Sequence, residues 1–260
     1  MSEKILAEIR DRIAIVKLNR PQSYNALDLE MISELARHCV AYAKNDTVLG
    51  MIITGEGKAF CSGGDLSWAS QFEGGLPAAF HELSSRFHQG ILEIRRMRKP
   101  VVAAINGIAA GGGFSLALAC DFRVMASTAV LRQGFTSNGL SMDGGGTFSL
   151  PRLVGFAKAM EILTFDKPIS SSDALSLGLT TRVCEAGQLL DAAMALVNDV
   201  LKISLSSFGW SKQLLTDAFN TSFETHIQNE RYALAACAAH PDGQEGIDAF
   251  LKKRTPIYNK

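Results

Sequence analysis

The chain has 260 residues and is balanced in charge, with 26 lysines and arginines against 26 aspartates and glutamates. Hydrophobic residues make up 47% of the sequence, which suffices for a packed core and excludes the composition of a disordered chain. The zero net charge argues against binding a nucleic acid or an anionic membrane through bulk charge. Any anionic ligand must therefore be held by a few local groups.

The cysteines and the N-terminal residues indicate the compartment. The chain has five cysteines, at Cys39, Cys61, Cys120, Cys184 and Cys237, and none of them form a C-x-x-C pair. We expect free thiols, and neither disulfides nor a metal site. The N-terminal residues alternate charged and apolar side chains, unlike a secretory signal, and the uncharged stretch 100–120 is interrupted by Asn106 and Gly107. These features predict a soluble, cytoplasmic protein that does not enter a membrane.

Apolar patterning predicts alternating strands and helices through the first two thirds of the chain. In chain order it predicts a strand over 13–18, a helix that begins near Asp28, a strand over 48–54, a helix over 76–97, a strand over 101–105, a helix from Gly111 towards Cys120, a strand over 122–125 and a helix after Thr147. Recurring strand–turn–helix units predict an α/β fold with right-handed crossovers. The pattern from residue 189 onward is helical, which predicts a core over residues 1–190 and a helical region over residues 191–260.

Two glycine-rich loops, at 60–65 and 107–113, each follow a predicted buried strand. Glycines leave backbone N–H groups open to a ligand, and a helix start adds unpaired N–H groups and a partial positive charge. Two such N–H groups aimed at one point form an oxyanion hole. Each loop alone also fits a tight turn or close helix packing, and neither carries a phosphate-binding fingerprint.

Taken together, the motifs resemble the crotonase (enoyl-CoA hydratase/isomerase) superfamily along nearly the whole chain. The matching segments are 19–21, 25–27, 58–66, 99–101, 106–107, 111–113, Asp121, 150–155 and 250–256. The resemblance implies an α/β spiral of ββα units with a C-terminal helical region that mediates trimers, which often pair into hexamers. It also implies an acyl-CoA thioester substrate, handled in fatty-acid or aromatic-acid metabolism, with coenzyme A as part of the substrate and no separate cofactor.

The resemblance also assigns roles to particular residues. The N–H groups of Ser62 and Gly112 would form the oxyanion hole for the thioester oxygen. Residues around the first loop would contact the substrate, namely Ala59, Phe60, Gly64, Asp65 and Leu66. Phe250 and Lys253 would contact the nucleotide of coenzyme A, across a subunit interface. For Lys253, an ordinary solvated cation on a terminal helix is the alternative.

The sequence departs from the hydratase pattern at both catalytic positions. Hydratases of this superfamily use two glutamates, and Ser115 and Phe135 stand at those places. Neither side chain can act as an acid or base near neutral pH. Asp143 is the only acid between Asp121 and Glu161, and its segment resembles the aspartate loop of isomerases such as 1,2-epoxyphenylacetyl-CoA isomerase. Asp143 is therefore predicted as the acid/base of a double-bond or ring isomerisation, with a plain helix N-cap as the alternative.

A local similarity to 4-chlorobenzoyl-CoA dehalogenase gives a second hypothesis. There the aspartate is a nucleophile assisted by a histidine, and His88 falls at the matching place, with Phe135 at the position of a ring-pocket aromatic. A surface-helix role is the alternative for His88. Hydration by a rearranged site and a non-catalytic CoA- or RNA-binding relative also remain open. The last is disfavoured by the neutral charge and by the presence of Asp143 beside both loops.

Overall fold

The computed structural model describes residues 3–260. Its strands are β1 (Ile5–Arg10), β2 (Ile13–Leu18), β3 (Gly50–Gly55), β4 (Ala59–Cys61), β5 (Val101–Ile105), β6 (Ile108–Ala110), β7 (Phe122–Ala126), β8 (Val130–Arg132), β9 (Ile169–Ser170) and β10 (Arg182–Cys184). Its helices are α1 (Leu29–Lys44), α2 (Leu66–Ser70), α3 (Gly75–Arg96), α4 (Gly112–Ala119), α5 (Gly146–Val154), α6 (Phe156–Phe165), α7 (Ser171–Ser176), α8 (Leu189–Val200), α9 (Leu205–Asp217), α10 (Phe223–Ala239) and α11 (Pro241–Leu251).

The strands form two sheets. The larger sheet has the order β1-β2-β3-β5-β7-β10, and all its pairs are parallel except β1–β2. Its central strands β3 and β5 are buried along their whole length, as expected for parallel strands covered on both faces. The smaller sheet has the order β4-β6-β8-β9, with β8–β9 as its antiparallel pair.

The chain builds these sheets as a spiral. Each repeat places one strand in the larger sheet and the next in the smaller sheet, and then adds a helix: β3-β4-α2, β5-β6-α4 and β7-β8-α5. The predicted α/β fold of ββα units is confirmed. The strands of the smaller sheet have only two or three residues each, so their patterns were too short to be recognised in the sequence.

The C-terminal region is helical, as predicted. Helix α8 packs its buried residues Leu196 and Val197 against Ile52 and Val102 of the larger sheet. Helix α9 is tied to the core through Lys212, whose Nζ lies 2.8 Å from a carboxylate oxygen of Asp121. The division at residue 190 stays a prediction. Within residues 3–260, every helix is too short or too polar to cross a lipid bilayer.

Candidate active site

The two glycine-rich loops lie against each other. A Cβ on Gly63 would be 3.2 Å from the backbone nitrogen of Gly112, and Gly63 and Gly111 have φ values of 102° and 53°. Side chains are strained at such positive φ values and would also hold the loops apart. Glycine at Gly63 and Gly111 therefore lets the two backbones approach.

Each loop presents one N–H group that the fold leaves unused. Leu27 N–H donates to Gly63 O at 2.7 Å and Asp65 N–H donates to Leu27 O at 2.9 Å, so that Leu27 and Gly64 form a parallel bridge. In this pattern the N–H of Gly64 itself points away from Leu27. Gly112 is the first residue of α4, where an N–H has no partner within the helix. Both glycines line the same cavity.

The structure corrects the prediction for Ser62. Its N–H donates to the carbonyl oxygen of Tyr24 at 3.0 Å, so it is already used within the fold. Gly64, predicted only as a substrate contact, takes its place beside Gly112. The sequence does not reveal which N–H of the loop is free, because the bridge with Leu27 decides it.

Three other residues predicted in the first loop, Ala59, Phe60 and Leu66, lie outside the cavity. Ala59 and Phe60 are fully buried in the core, and their carbonyl oxygens accept hydrogen bonds from Asn25 Nδ2 at 2.8 and 3.3 Å. Neither residue lines the cavity, and a contact of Ala59 or Phe60 with the substrate stays a prediction. Leu66 begins α2, is 52% exposed and does not line the cavity.

Asp65 stabilises the loop with its side chain. One carboxylate oxygen caps α2 by accepting from the Trp68 N–H at 3.0 Å, and the other accepts from Arg20 at 2.9 Å. Burial acts against ionisation of Asp65, but the Trp68 N–H and the Arg20 guanidinium outweigh it and lower its pKa. Asp65, the residue directly after Gly64, is thus fixed in place by these two contacts.

The cavity has a volume of about 270 Å³ and is mostly apolar. One wall is a face of α3, with its residues spaced three or four apart along the helix. The lining side chains are those of Leu27, Ile32, Phe80, Leu83, Ser84, Phe87, Phe135, Leu140, Ser141, Met142 and Asp143. The helical spacing of Phe80, Leu83, Ser84 and Phe87 was a signal in the sequence that our prediction missed.

Asp143 is the carboxylate in this cavity. Its Oδ2 accepts from the Ser84 hydroxyl at 2.8 Å, and its Oδ1 lies 2.7 Å from His88 Nε2. His88 Nε2 carries the hydrogen when Asp143 is ionised, because a carboxylate can only accept. The N-cap of α5 is Gly145, without a side-chain bond, so the N-cap alternative for Asp143 is excluded. The structure thus brings Asp143 and His88 together.

Ser115 and Phe135, predicted at the two glutamate positions of hydratases, support the Asp143 loop and line the cavity, respectively. Ser115 is buried, and its hydroxyl donates to the Asp143 carbonyl at 2.5 Å, which fixes the loop that carries the carboxylate. Phe135 adds an aromatic wall to the cavity. Next to Asp143, Gly144 has a φ of 65° and leaves no room for a Cβ, which would lie 2.5 Å from the Phe87 ring.

Phe250 and Lys253 do not join this cavity. Phe250 is 83% exposed at the end of α11, and Lys253 is exposed just beyond it. The residues that line the cavity all lie between 27 and 143. A nucleotide contact by Phe250 and Lys253 therefore stays a prediction that needs a second copy of the chain.

The geometry suits stabilisation of negative charge on a carbonyl oxygen. Two backbone N–H groups and one carboxylate open into the same apolar cavity. Such donors are worth most in a site that excludes water, and the carboxylate can move a proton nearby. Among residues 3–260, no three histidines, cysteines or acids are grouped as metal ligands would be.

Comparison with known proteins gives the family. The model of the enoyl-CoA hydratase/isomerase family matches residues 8–260. The chain is 32% identical to crotonyl-CoA hydratase of Syntrophomonas wolfei, over 97% of this chain and 96% of that protein. It is 31% identical to 1,2-epoxyphenylacetyl-CoA isomerase of Escherichia coli, over 99% of each. A crystal structure of an enoyl-CoA hydratase from Polaromonas has a TM-score of 0.92 and 36% identity, covering 98% of this chain and 99% of that one.

Replacing Asp65 by Ala should lower the free energy of unfolding by about 1–2 kcal/mol at neutral pH, because α2 loses its cap. The lowered pKa means that this contribution is present above the ordinary carboxyl pKa, about 4, and is lost as the pH falls through the folded-state value. The free energies of unfolding of the wild type and the variant, measured with urea, should therefore become equal at acid pH.

Asp65→Asn is the matched control, since Asn still caps a helix and loses only the charge. The free energy of unfolding of Asp65→Asn at neutral pH should lie between the values of the wild type and Asp65→Ala. A difference between the wild type and Asp65→Ala that does not change with pH would contradict the role of the carboxylate.

Proposed function

The chain belongs to the enoyl-CoA hydratase/isomerase family, the crotonase superfamily, and within it we propose that the protein is an acyl-CoA isomerase. It moves a double bond, or rearranges a ring, in an enoyl- or ring-containing acyl-CoA. The observation that carries this proposal is the position of Asp143 in the cavity that Gly64 and Gly112 also line. One carboxylate and one oxyanion hole are all that such a reaction requires.

In the proposed reaction the thioester oxygen accepts from the N–H groups of Gly64 and Gly112. Asp143 removes a proton α or γ to the carbonyl, and the electrons move onto the thioester oxygen as a dienolate. The dienolate then collapses and takes the same proton back from Asp143 at the other carbon. Nothing is added or lost, so no water and no second acid/base are needed.

The absence of the two hydratase carboxylates supports isomerisation over hydration. The Ser115 hydroxyl donates a hydrogen bond to the Asp143 carbonyl, and Phe135 is apolar. Neither can deliver water to a β-carbon by acid/base catalysis. The similarity to the 1,2-epoxyphenylacetyl-CoA isomerase of E. coli agrees with this choice, whereas the similarity to named hydratases favours the other.

We also propose that the enzyme works as a trimer or hexamer. The C-terminal region exposes large apolar side chains, at Leu215, Phe219, Phe223, Tyr232, Leu234 and Phe250. Exposed apolar area of this kind supports burial against another copy. In such an assembly, Phe250 and Lys253 of one copy would meet the nucleotide of coenzyme A bound to the next.

Replacing Asp143 by Asn should reduce turnover of a trans-3-enoyl-CoA by about 10²–10⁴-fold, because the proton carrier is lost. The amide keeps the size of the carboxylate, so affinity for the thioester should change little. Turnover is read from the appearance of the conjugated 2-enoyl thioester, and affinity from calorimetry with a saturated acyl-CoA. Full activity of the variant would contradict the proposed role of Asp143.

A second candidate is covalent hydrolysis, favoured by the 2.7 Å contact between His88 and Asp143. In this reaction an Asp143 oxygen attacks an aromatic carbon of an aroyl-CoA, a halide leaves, and an ester to the enzyme forms. His88 then accepts a proton from water as the water attacks the ester carbonyl, which releases the hydroxylated product and regenerates Asp143.

The two candidates differ in the fate of solvent oxygen. Covalent hydrolysis in H₂¹⁸O places ¹⁸O in the Asp143 carboxylate, and His88→Ala stops that reaction after ester formation. We expect neither effect for the isomerase: peptide mass spectrometry should find Asp143 unlabelled after turnover, and His88→Ala should retain most activity. Labelled Asp143 would favour hydrolysis and contradict isomerisation.

A further inference from the structure

A second pocket, of about 190 Å³, lies among α3, α4, α5 and α9 and shares no lining residue with the active-site cavity. Its charged lining is dominated by cations, with four basic side chains and one carboxylate: Arg95, Arg123, Arg152, Lys212 and Asp121. The reaction proposed above uses none of them. In a chain of zero net charge, this is a local concentration of positive charge.

Two of these cations are already satisfied by the fold. Arg123 is buried and donates to the carbonyl oxygens of Leu179 at 2.6 Å and Cys120 at 2.8 Å. Lys212 pairs with Asp121 at 2.8 Å, and Asp121 also accepts from the Val101 N–H. The one carboxylate of the pocket is thus matched by Lys212.

The guanidinium groups of Arg95 and Arg152, unlike Arg123 and Lys212, are not fully used by contacts within the fold. Among residues 3–260, neither forms an ion pair with a carboxylate. By hydrogen bonding, Arg95 reaches the Thr216 hydroxyl at a long 3.5 Å, and Arg152 donates to the Phe148 carbonyl at 2.8 Å. The guanidinium carbon of Arg152 also lies 5.2 Å from the centroid of the Phe219 ring. Both retain donors for a ligand, since a guanidinium has five N–H groups.

Arg95 and Arg152 also contact the same aromatic ring. Their guanidinium carbons are 5.4 and 3.4 Å from the centroid of the same Phe148 ring, which fixes them by cation–π contact. Burial and then the charge of Arg152 lower the pKa of Arg95, against the opposing fields of Asp121 and Asp217. Two like charges that line one pocket repel each other, and an anion bound in that pocket offsets the repulsion.

We infer that this pocket binds a small oxyanion of the phosphate type, held by the guanidinium groups of Arg95 and Arg152. Planar guanidinium groups pair with phosphate or carboxylate oxygens through two parallel hydrogen bonds. Ser149 and Thr216 line the same pocket and supply neutral hydroxyl donors. The remaining lining, including Leu118 and Leu153, limits the space to a small anion.

A bound oxyanion would join α3, which carries Ser84 and His88, to α5, which follows the loop that carries Asp143. Arg95 is on α3, on the same face as Ser84 and His88. Ser84 and His88 are four residues apart and His88 and Arg95 are seven apart, which are the spacings of one helix face. His88 and Arg95 are about 10 Å apart along the helix axis, at 1.5 Å per residue. Arg152 is on α5, which begins three residues after Asp143. Anion binding itself does not depend on the proposed isomerase function.

Calorimetry and thermal unfolding with inorganic phosphate test this inference, with chloride at equal ionic strength as the reference. A phosphate concentration of about 100 times the Kd should raise the Tm by roughly 5–10 °C. Arg95→Gln and Arg152→Gln should each weaken phosphate binding by about tenfold or more, because each removes a charge-assisted hydrogen bond. Arg96→Gln, the exposed neighbour outside the pocket, is the matched control and should bind phosphate like the wild type.

Three outcomes would overturn the inference. The first is that phosphate releases no heat and leaves the Tm at its chloride value. The second is binding that persists unchanged in the double variant Arg95→Gln/Arg152→Gln, which would place phosphate elsewhere. The third is that phosphate does not bind but the double variant changes the mass of the assembly, which would mean that an acidic side chain of another copy fills the pocket.

Discussion

The close approach of two glycine loops is the constraint on which the active site depends. Gly63 and Gly111 have no side chains to separate them, so the loop after β4 and the start of α4 pack backbone to backbone. Leu27 bonds to the backbone groups that flank Gly64, namely the carbonyl of Gly63 and the N–H of Asp65, so the Gly64 N–H points to the opposite side. The Gly112 N–H is unpaired because it is at the start of a helix. The proposed oxyanion hole is thus fixed by the backbone itself and needs no ordering of side chains.

The position of Asp143 follows from a different set of contacts. Ser115 holds the loop by the Asp143 carbonyl, and Ser84 and His88 each contact one carboxylate oxygen. The carboxylate is therefore oriented from α3 and α4 together, and faces the cavity with its remaining lone pairs. The same contacts are compatible with both proposed reactions: proton transfer would use Asp143 as a base, whereas hydrolysis would use it as a nucleophile with His88 beside it.

The sequence predicted the spiral and the two loops, because these depend on local patterns and motifs, and it singled out Asp143, which lines the cavity. It predicted Ser62 in place of Gly64, because the choice depends on a bridge to Leu27, far away in the chain. It assigned Ala59 and Phe60 to the substrate; the structure buries both and bonds Asn25 to their carbonyl groups, and the assignment stays a prediction. Ser84 was missed even though Phe80, Ser84, Phe87 and His88 share a helical face, since only tertiary packing shows that this face meets Asp143. The contacts expected of Phe250 and Lys253 involve another copy, beyond the reach of one chain.

Gly112 offers the most direct measurement of the central claim. Proline is tolerated at the first position of a helix and removes the N–H, whereas alanine keeps it. Exchange of the α-hydrogens of a bound acyl-CoA with D₂O, followed by NMR, reports enolate formation without requiring the complete reaction. Our account predicts that Gly112→Pro slows this exchange by about 10²–10³-fold while Gly112→Ala slows it far less. Equal exchange rates in the two variants would contradict the account, because the Gly112 N–H would then contribute nothing to stabilising the enolate.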